Sequence, residues 1–232
     1  MTTEFARARS DEQRAARRRA ILCTAAEMLR DGTRVADLSL NELARRVGLA
    51  KSNVLRYFET REAVLLSLLD DVYTAWLDTV EAALAAGRQA GDAGASRAAS
   101  VERVAVALAD TIAELPVLSE LIANASTVLE HNVSAAIAAD YKIRAYAQAM
   151  RLVGLIEREV GELPEPSRIA LAASLNLVIG GAWGMCRPSA GMAEAYELHP
   201  ELAAMRLDYR RSVRELAATA LTGLLARPAS IG

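Results

Sequence analysis

Apolar residues recur at helical spacing almost from one end of the chain to the other. Residues 14–30 set Ile21, Leu22, Ala25, Met28 and Leu29 on one face and stop at Asp31-Gly32. Ser39 and Glu42 then fit a capping box: the hydroxyl can accept from the Glu42 backbone N–H, and the carboxylate can reach back to the N–H of Ser39. Leu38 and Leu43 stand where a hydrophobic staple would close across that cap. A short helix therefore starts at Ser39. Gly48 is placed to end it in the left-handed conformation, with Leu49 folding back onto the apolar face. A second short helix over 50–57 offers Val54, Leu55 and Phe58 to a core and leaves Lys51, Ser52, Asn53, Arg56 and Tyr57 outward. Two short helices joined by a glycine turn, the second polar and basic outside, make a helix-turn-helix pattern.

Downstream, residues 60–86 carry Leu65, Leu69, Val72, Tyr73, Trp76 and Val80 on one stripe, which predicts a long helix packed on two neighbours. Residues 87–100 are rich in Gly, Ala and Ser and read as a loop. Helical patterns follow over 101–114, 117–130 and 133–160, with Pro116 marking a break and Pro164 and Pro166 ending the block. Two more helices, 168–186 and 201–226, flank a loop over 187–200. The expected fold is all-α: a three-helix module over 1–61, joined by a long helix to a larger helical body over 62–232.

Composition strengthens the helical reading and removes other classes. Hydrophobic residues make up 53% of the chain, but 48 of its residues are alanine, the best helix former and a poor source of buried area. Six prolines and 4% aromatics argue against a sandwich or barrel. Cys23 and Cys186 stand far apart without a CxxC or Cys/His cluster, so the chain predicts two small buried thiols and no metal, disulfide or cofactor. The net charge of −2 hides a split. Residues 1–61 hold 13 basic and 8 acidic side chains; residues 62–232 hold 14 and 21. A basic end on an acidic body points to one anion-binding module carried by something else. The basic, polar N-terminus has no secretory h-region, and a cytoplasmic location is expected. Residues 169–186 carry no charge, but only six are Leu, Ile or Val, beside Ser174, Asn176 and three glycines. That composition predicts a helix buried in protein rather than a membrane span.

The run LNELARRVGLAKSNVLRYFETREAVL, residues 40–65, resembles the DNA-binding domain of TetR-family transcriptional regulators, above all in Tyr57-Phe58-x-Thr60-Arg61-Glu62. The resemblance covers about residues 21–69; the remainder agrees in length and helical character. Ala50 departs from the Ser or Thr common at its position in the family, and Leu55 from the aromatic common at its own. The resemblance implies a homodimeric repressor that a small-molecule effector, of unknown identity, releases from a palindromic double-stranded operator.

In that reading the second short helix enters the major groove. Asn53 and Arg56 read base edges, while Lys51, Ser52 and Tyr57 hold phosphates. Ser39 and Thr60 begin helices whose N–H groups can meet phosphate, and Arg61 adds charge beside one of them. Arg14, Arg17, Arg18 and Arg19, with Arg7 and Arg9 ahead, form a backbone-contacting or minor-groove arm. The family's dimer bundle corresponds to residues 168–186 and 201–226, where Gly180, Gly181 and Gly184 allow close approach. Its ligand pocket, among the middle helices, makes candidates of Trp76, Asn124, His131, Tyr146, Met150, Asn176 and Trp183. The competing readings, an all-α enzyme or a helical membrane-associated protein, lack support: there is no HExxH or GxSxG, and His131 and His199 have no evident nucleophile partner.

Overall fold

The computed structural model describes residues 2–90 and 96–227, with side chains from residue 11 onward except that of Ala90. Among the described residues every regular element is helical: α1 (Thr2–Arg30), α2 (Leu40–Val47), α3 (Lys51–Val54), α4 (Arg61–Ala90), α5 (Arg97–Ala113), α6 (Pro116–Asn124), α7 (Ala135–Val160), α8 (Glu165–Met185), α9 (Ala190–Leu198) and α10 (Tyr209–Ala226).

Several boundaries move from those the periodicity predicts, for local reasons. The loop expected over 187–200 contains α9, capped by the Ser189 hydroxyl, which accepts from the Met192 N–H at 3.4 Å. The last helix starts at Tyr209 rather than at 201. Pro200–Met205 is a 3-10 turn, Arg206 is extended, and Asp208 caps α10 by accepting from the Arg211 N–H at 2.8 Å. The pattern expected over 117–130 is α-helical only to Asn124. Ala125–Leu129 widens into a π-helical turn in which the Glu130 N–H reaches the Ala125 carbonyl, five residues back. Cys23 is exposed and Cys186 only partly buried, so the expected burial fails for the first because it lies off the Ile21–Leu22–Ala25 face.

The chain divides into two compact units, Met1–Asp71 with Asn124–Tyr141, and Val72–Ala123 with Lys142–Gly232. In the first, α1 packs on α2 and α2 on α3, around Ile21, Met28, Leu38, Leu43, Val54 and Leu65, all fully buried. Each such side chain contributes about 1.5–3 kcal/mol relative to exposure.

In the second unit α10 packs on α5 and α8. Its core includes Trp76, Leu77, Leu108, Ile112, Leu121, Leu171 and Leu221. Arginines reach between its helices. Arg151 of α7 meets Asp78 and Glu81 of α4 at 2.6 and 3.0 Å, and Arg158 meets Glu81 at 2.9 Å. Arg210 of α10 bridges Asp110 and Glu114 of α5 at 3.2 and 2.7 Å, and Arg214 pairs with Glu102. Arg88 of α4 pairs with Glu159 of α7, whose carboxylate is buried.

The charge-free stretch is buried over a third of its residues, half-buried over a third and exposed over the rest, so a single chain covers only one side of the helix. Leu171, Leu175, Ile179 and Trp183 face inward, while Ile169, Ala173, Leu177, Gly181 and Met185 form an exposed stripe at four-residue spacing. Gly180 belongs to the inner side: a Cβ there would stand 3.2 Å from the Ala123 Cα, so it lets α6 lie close on α8. Gly181 and Gly184 face open space. By length and composition alone α8 is apolar enough to cross a membrane, but a third of its most apolar window is buried within the protein.

Candidate nucleic-acid interface

The α2–α3 unit is built by the short-range chemistry its residues predict. The Ser39 hydroxyl accepts from the Glu42 N–H at 3.2 Å, and Leu38 and Leu43 are both fully buried. The Glu42 carboxylate does not complete the expected box. It is taken by Arg45 and Arg46, which donate to it at 2.6–3.1 Å and hold its pKa down at about 2. Gly48 adopts φ +74°, and the Leu49 N–H returns to the Ala44 carbonyl at 2.9 Å, which turns the chain toward α3.

The second helix is a single turn, shorter than the 50–57 expected. Ala50 offers no side-chain cap, and beyond Val54 the chain closes through i→i+3 bonds: Arg56 N–H to the Asn53 carbonyl at 3.2 Å and Tyr57 N–H to that of Val54 at 2.9 Å. Val54 and Phe58 are buried as predicted, whereas Leu55, expected in the core, is 41% exposed. With one turn of helix, only residues four apart share the inward side. Lys51, Ser52, Asn53 and Arg56 are exposed and Tyr57 is half-buried.

Asn53, Arg56 and Tyr57 share an open groove of about 710 Å³ with Leu49 and with Gln13, Arg14 and Arg17 of α1. Arg14, Arg17, Arg19, Lys51 and Arg56 make no ion pair with a described residue. The groove therefore presents cations without carboxylates, beside amide and phenol groups suited to base edges and phosphates. The side chains of Arg7 and Arg9 lie outside the described residues. Arg18 departs from the arm in which the sequence places it. Its guanidinium turns inward, donating to the Tyr57 carbonyl at 2.9 Å and lying 4.2 Å from the Phe58 ring centroid. Helical spacing carries the missed signal, since Arg18 precedes Ile21 and Leu22 by three and four residues and so shares their buried face.

Thr60 caps α4, its hydroxyl accepting from the Ala63 N–H at 3.1 Å. Arg61 beside it is turned into the unit. It pairs with Glu62 at 2.7 Å and donates to the Ala36 and Leu38 carbonyls at 3.2 Å, binding the approach to α2 to the start of α4.

The candidates for a ligand pocket stand in different surroundings. Trp76 is fully buried, donates from its indole to the Thr111 hydroxyl at 2.9 Å and meets Tyr73 edge-on. Trp183 donates to Glu120 at 2.8 Å and packs edge-on against Tyr209. Asn176 donates to the Ala172 carbonyl one turn back at 3.0 Å. Tyr146 and His131 are exposed; Asn124 and Met150 are half-buried, Asn124 and His131 in the first unit and the other candidates in the second. In the second unit an open groove of about 430 Å³ lies between α4 and α5, lined by Ala83, Gly87, Arg103, Val106 and Asp110, and none of the candidates lines it.

The model of the tetracyclin repressor-like C-terminal domain matches residues 70–228. The chain belongs to the TetR family of transcriptional regulators. The chain is also similar to the HTH-type transcriptional regulator EthR of Mycobacterium tuberculosis and Mycobacterium bovis, 45% identical over 53 residues. That match spans 23% of this chain and 24% of each relative, about a quarter of their length. A solved structure described as a TetR-family transcription regulator from Shewanella sp. PV-4 shares the fold, with a TM-score of 0.51 at 17% identity over 88% of this chain and 97% of that one. TetR-family chains are regulators rather than enzymes, which agrees with the missing catalytic constellation.

Proposed function

We propose that this TetR-family chain is a homodimeric, effector-responsive repressor that binds a palindromic operator from the cytoplasm. The observation that carries the proposal is the α1–α3 groove, where Arg14 and Arg17, without an ion-pair partner among the described residues, stand beside exposed Asn53 and Arg56. Arg56 and Asn53 read base edges. Arg14, Arg17 and Lys51 neutralise phosphates, with Ser52 and Tyr57 as neutral phosphate contacts and the N-termini capped by Ser39 and Thr60 beside them. Arg61 supports this surface from within. The exposed stripe of α8, with Gly181 and Gly184 clear of their own chain, supports pairing with a second copy through α8 and α10. Two-fold pairing sets the recognition helices against successive major grooves, about 34–36 Å apart, and an effector acts by shifting that separation. The effector assignment rests on family membership, with Met150 and Asn176 as the half-buried candidates in the second unit.

The test is selection of duplexes from a random pool by the purified protein, followed by titration of affinity against salt. A palindromic selected site and affinity falling steeply with salt are expected. A flat salt dependence would falsify the DNA assignment.

A further inference from the structure

We infer that Arg18 is a positioning residue for the recognition turn, a clamp joining α1, α3 and α4; the inference deepens the DNA-binding reading and rests on it for its consequence. α3 has four residues and no side-chain cap at its start, and past Val54 its i→i+4 bonds (Leu55 N–H to Lys51, Phe58 N–H to Val54) alternate with i→i+3 bonds of Arg56 and Tyr57. One helical turn does not hold itself together in water, so its geometry must be imposed from outside. Val54 and Phe58 anchor it by burial, but two apolar side chains on the same edge leave rotation about that edge unconstrained. Arg18 supplies a further, directional restraint. One terminal nitrogen donates to the Tyr57 carbonyl at 2.9 Å, the guanidinium plane covers the Phe58 ring at 4.2 Å, and the other terminal nitrogen reaches the Ser67 hydroxyl of α4 at 3.5 Å. Tyr57 and Phe58 lie in the turn just past Val54, so the clamp fixes the exit of α3 from a neighbouring helix. Only a planar cation can bond in its plane and stack on its face at once, which sets Arg apart from Lys at this position.

The consequence is selective. Arg17, its neighbour in the chain, faces the groove without a partner among the described residues and acts by charge, whereas Arg18 acts by fixing where Asn53 and Arg56 stand. Losing Arg17 weakens binding to every duplex; losing Arg18 erases discrimination between duplexes.

The experiment uses the full chain as Arg18→Ala, Arg18→Lys, Ser67→Ala and Arg17→Ala, each shown folded by its thermal melt. The probes are the duplex selected by the unaltered protein and a random-sequence duplex of the same length. Arg18→Ala lowers the ratio of selected to random affinity by about tenfold or more, with its slope of log affinity against log salt unchanged; Arg17→Ala lowers that slope by about 0.9 and leaves the ratio intact. Arg18→Lys restores less than half of the lost discrimination, and Ser67→Ala gives the mildest loss. In the free protein, amide exchange at Arg56, Tyr57 and Phe58 speeds up in Arg18→Ala while exchange in α2 stays as it was. A slope that falls in Arg18→Ala, or an unchanged ratio and unchanged exchange in a folded Arg18 variant, overturns the clamp. If the unaltered protein binds neither duplex, the DNA reading fails and the exchange measurement alone decides the clamp. If Arg18→Ala does not fold, Arg18→Lys and Ser67→Ala carry the same two readouts.

Discussion

In the second unit arginines cross from helix to helix to find carboxylates: Arg210 to Asp110 and Glu114, Arg151 to Asp78 and Glu81, Arg214 to Glu102. On the α1–α3 side of the first unit, Arg14, Arg17, Arg19, Lys51 and Arg56 find none among the described residues. Like charges gathered within a Debye length of about 8 Å repel one another, so such a cluster works against its own fold. The same unit does pair cations elsewhere, in Arg45 and Arg46 with Glu42 and in Arg61 with Glu62. Of the unpaired set, Arg14, Arg17 and Arg56 line one groove. In the proposed role that free energy returns when phosphates replace the absent carboxylates and release their counterions. The paired arginines of the second unit serve the fold, and those of the groove are the ones the proposed DNA-binding role uses.

Interiors and faces answer differently to mutation, and the largest effect lies in the interior. Trp76→Ala lowers unfolding free energy by about 3–5 kcal/mol in denaturant titration, because it removes a fully buried indole and leaves a cavity. Effector binding lost without that destabilisation would instead make Trp76 a ligand contact and blur the division. Next comes the outer face of α8. Leu177, 75% exposed, tolerates Arg in the isolated chain within about 0.5 kcal/mol, whereas in a dimer interface the buried charge costs about 2–5 kcal/mol. Sedimentation of Leu177→Arg should show monomer where the unaltered chain shows dimer; an unchanged dimer moves the interface elsewhere.

Arg56→Ala is expected to cost about 1–3 kcal/mol on the selected duplex and to relax preference at one base position, with little change on random duplex. Equal losses on both would reassign Arg56 to the phosphates. The smallest effect belongs to a paired carboxylate of the first unit. The Arg45 and Arg46 guanidinia hold Glu42 at about 2, below its ordinary 4.5, so its contribution is complete above pH 4.5 and fades as pH falls toward 2. Glu42→Gln should flatten the fall in stability across that window; a parallel fall in both proteins would mean that the pairing adds nothing.

How much of this was legible beforehand varies with the range of the interaction involved. The cap at Ser39, the buried Leu38 and Leu43 and the left-handed Gly48 all follow from residues within a few positions of one another, and the structure has each of them. The same holds for the outward Asn53 and Arg56. Leu55 was misplaced because a single helical turn has too few residues for periodicity to assign an inner face. α9 was missed because none of its residues is buried and so it carries no clear apolar stripe, although Ser189 stands ready as a cap.

The sequence by itself determined an all-helical chain, a capped two-helix turn and the segregation of basic residues toward one end, since propensity, capping and charge are properties of neighbours along the chain. Tertiary structure decided how four arginines within six residues of α1 divide their work. Arg14, Arg17 and Arg19 stay without a described partner, while Arg18 is drawn inward by a carbonyl 39 residues away and a ring beside it. It also decided which half of the charge-free helix is core, because the side that α6 covers at Gly180 is set by packing across 57 residues of chain, from Ala123. Partners that distant leave no periodicity to read, and only the folded chain brings them within reach.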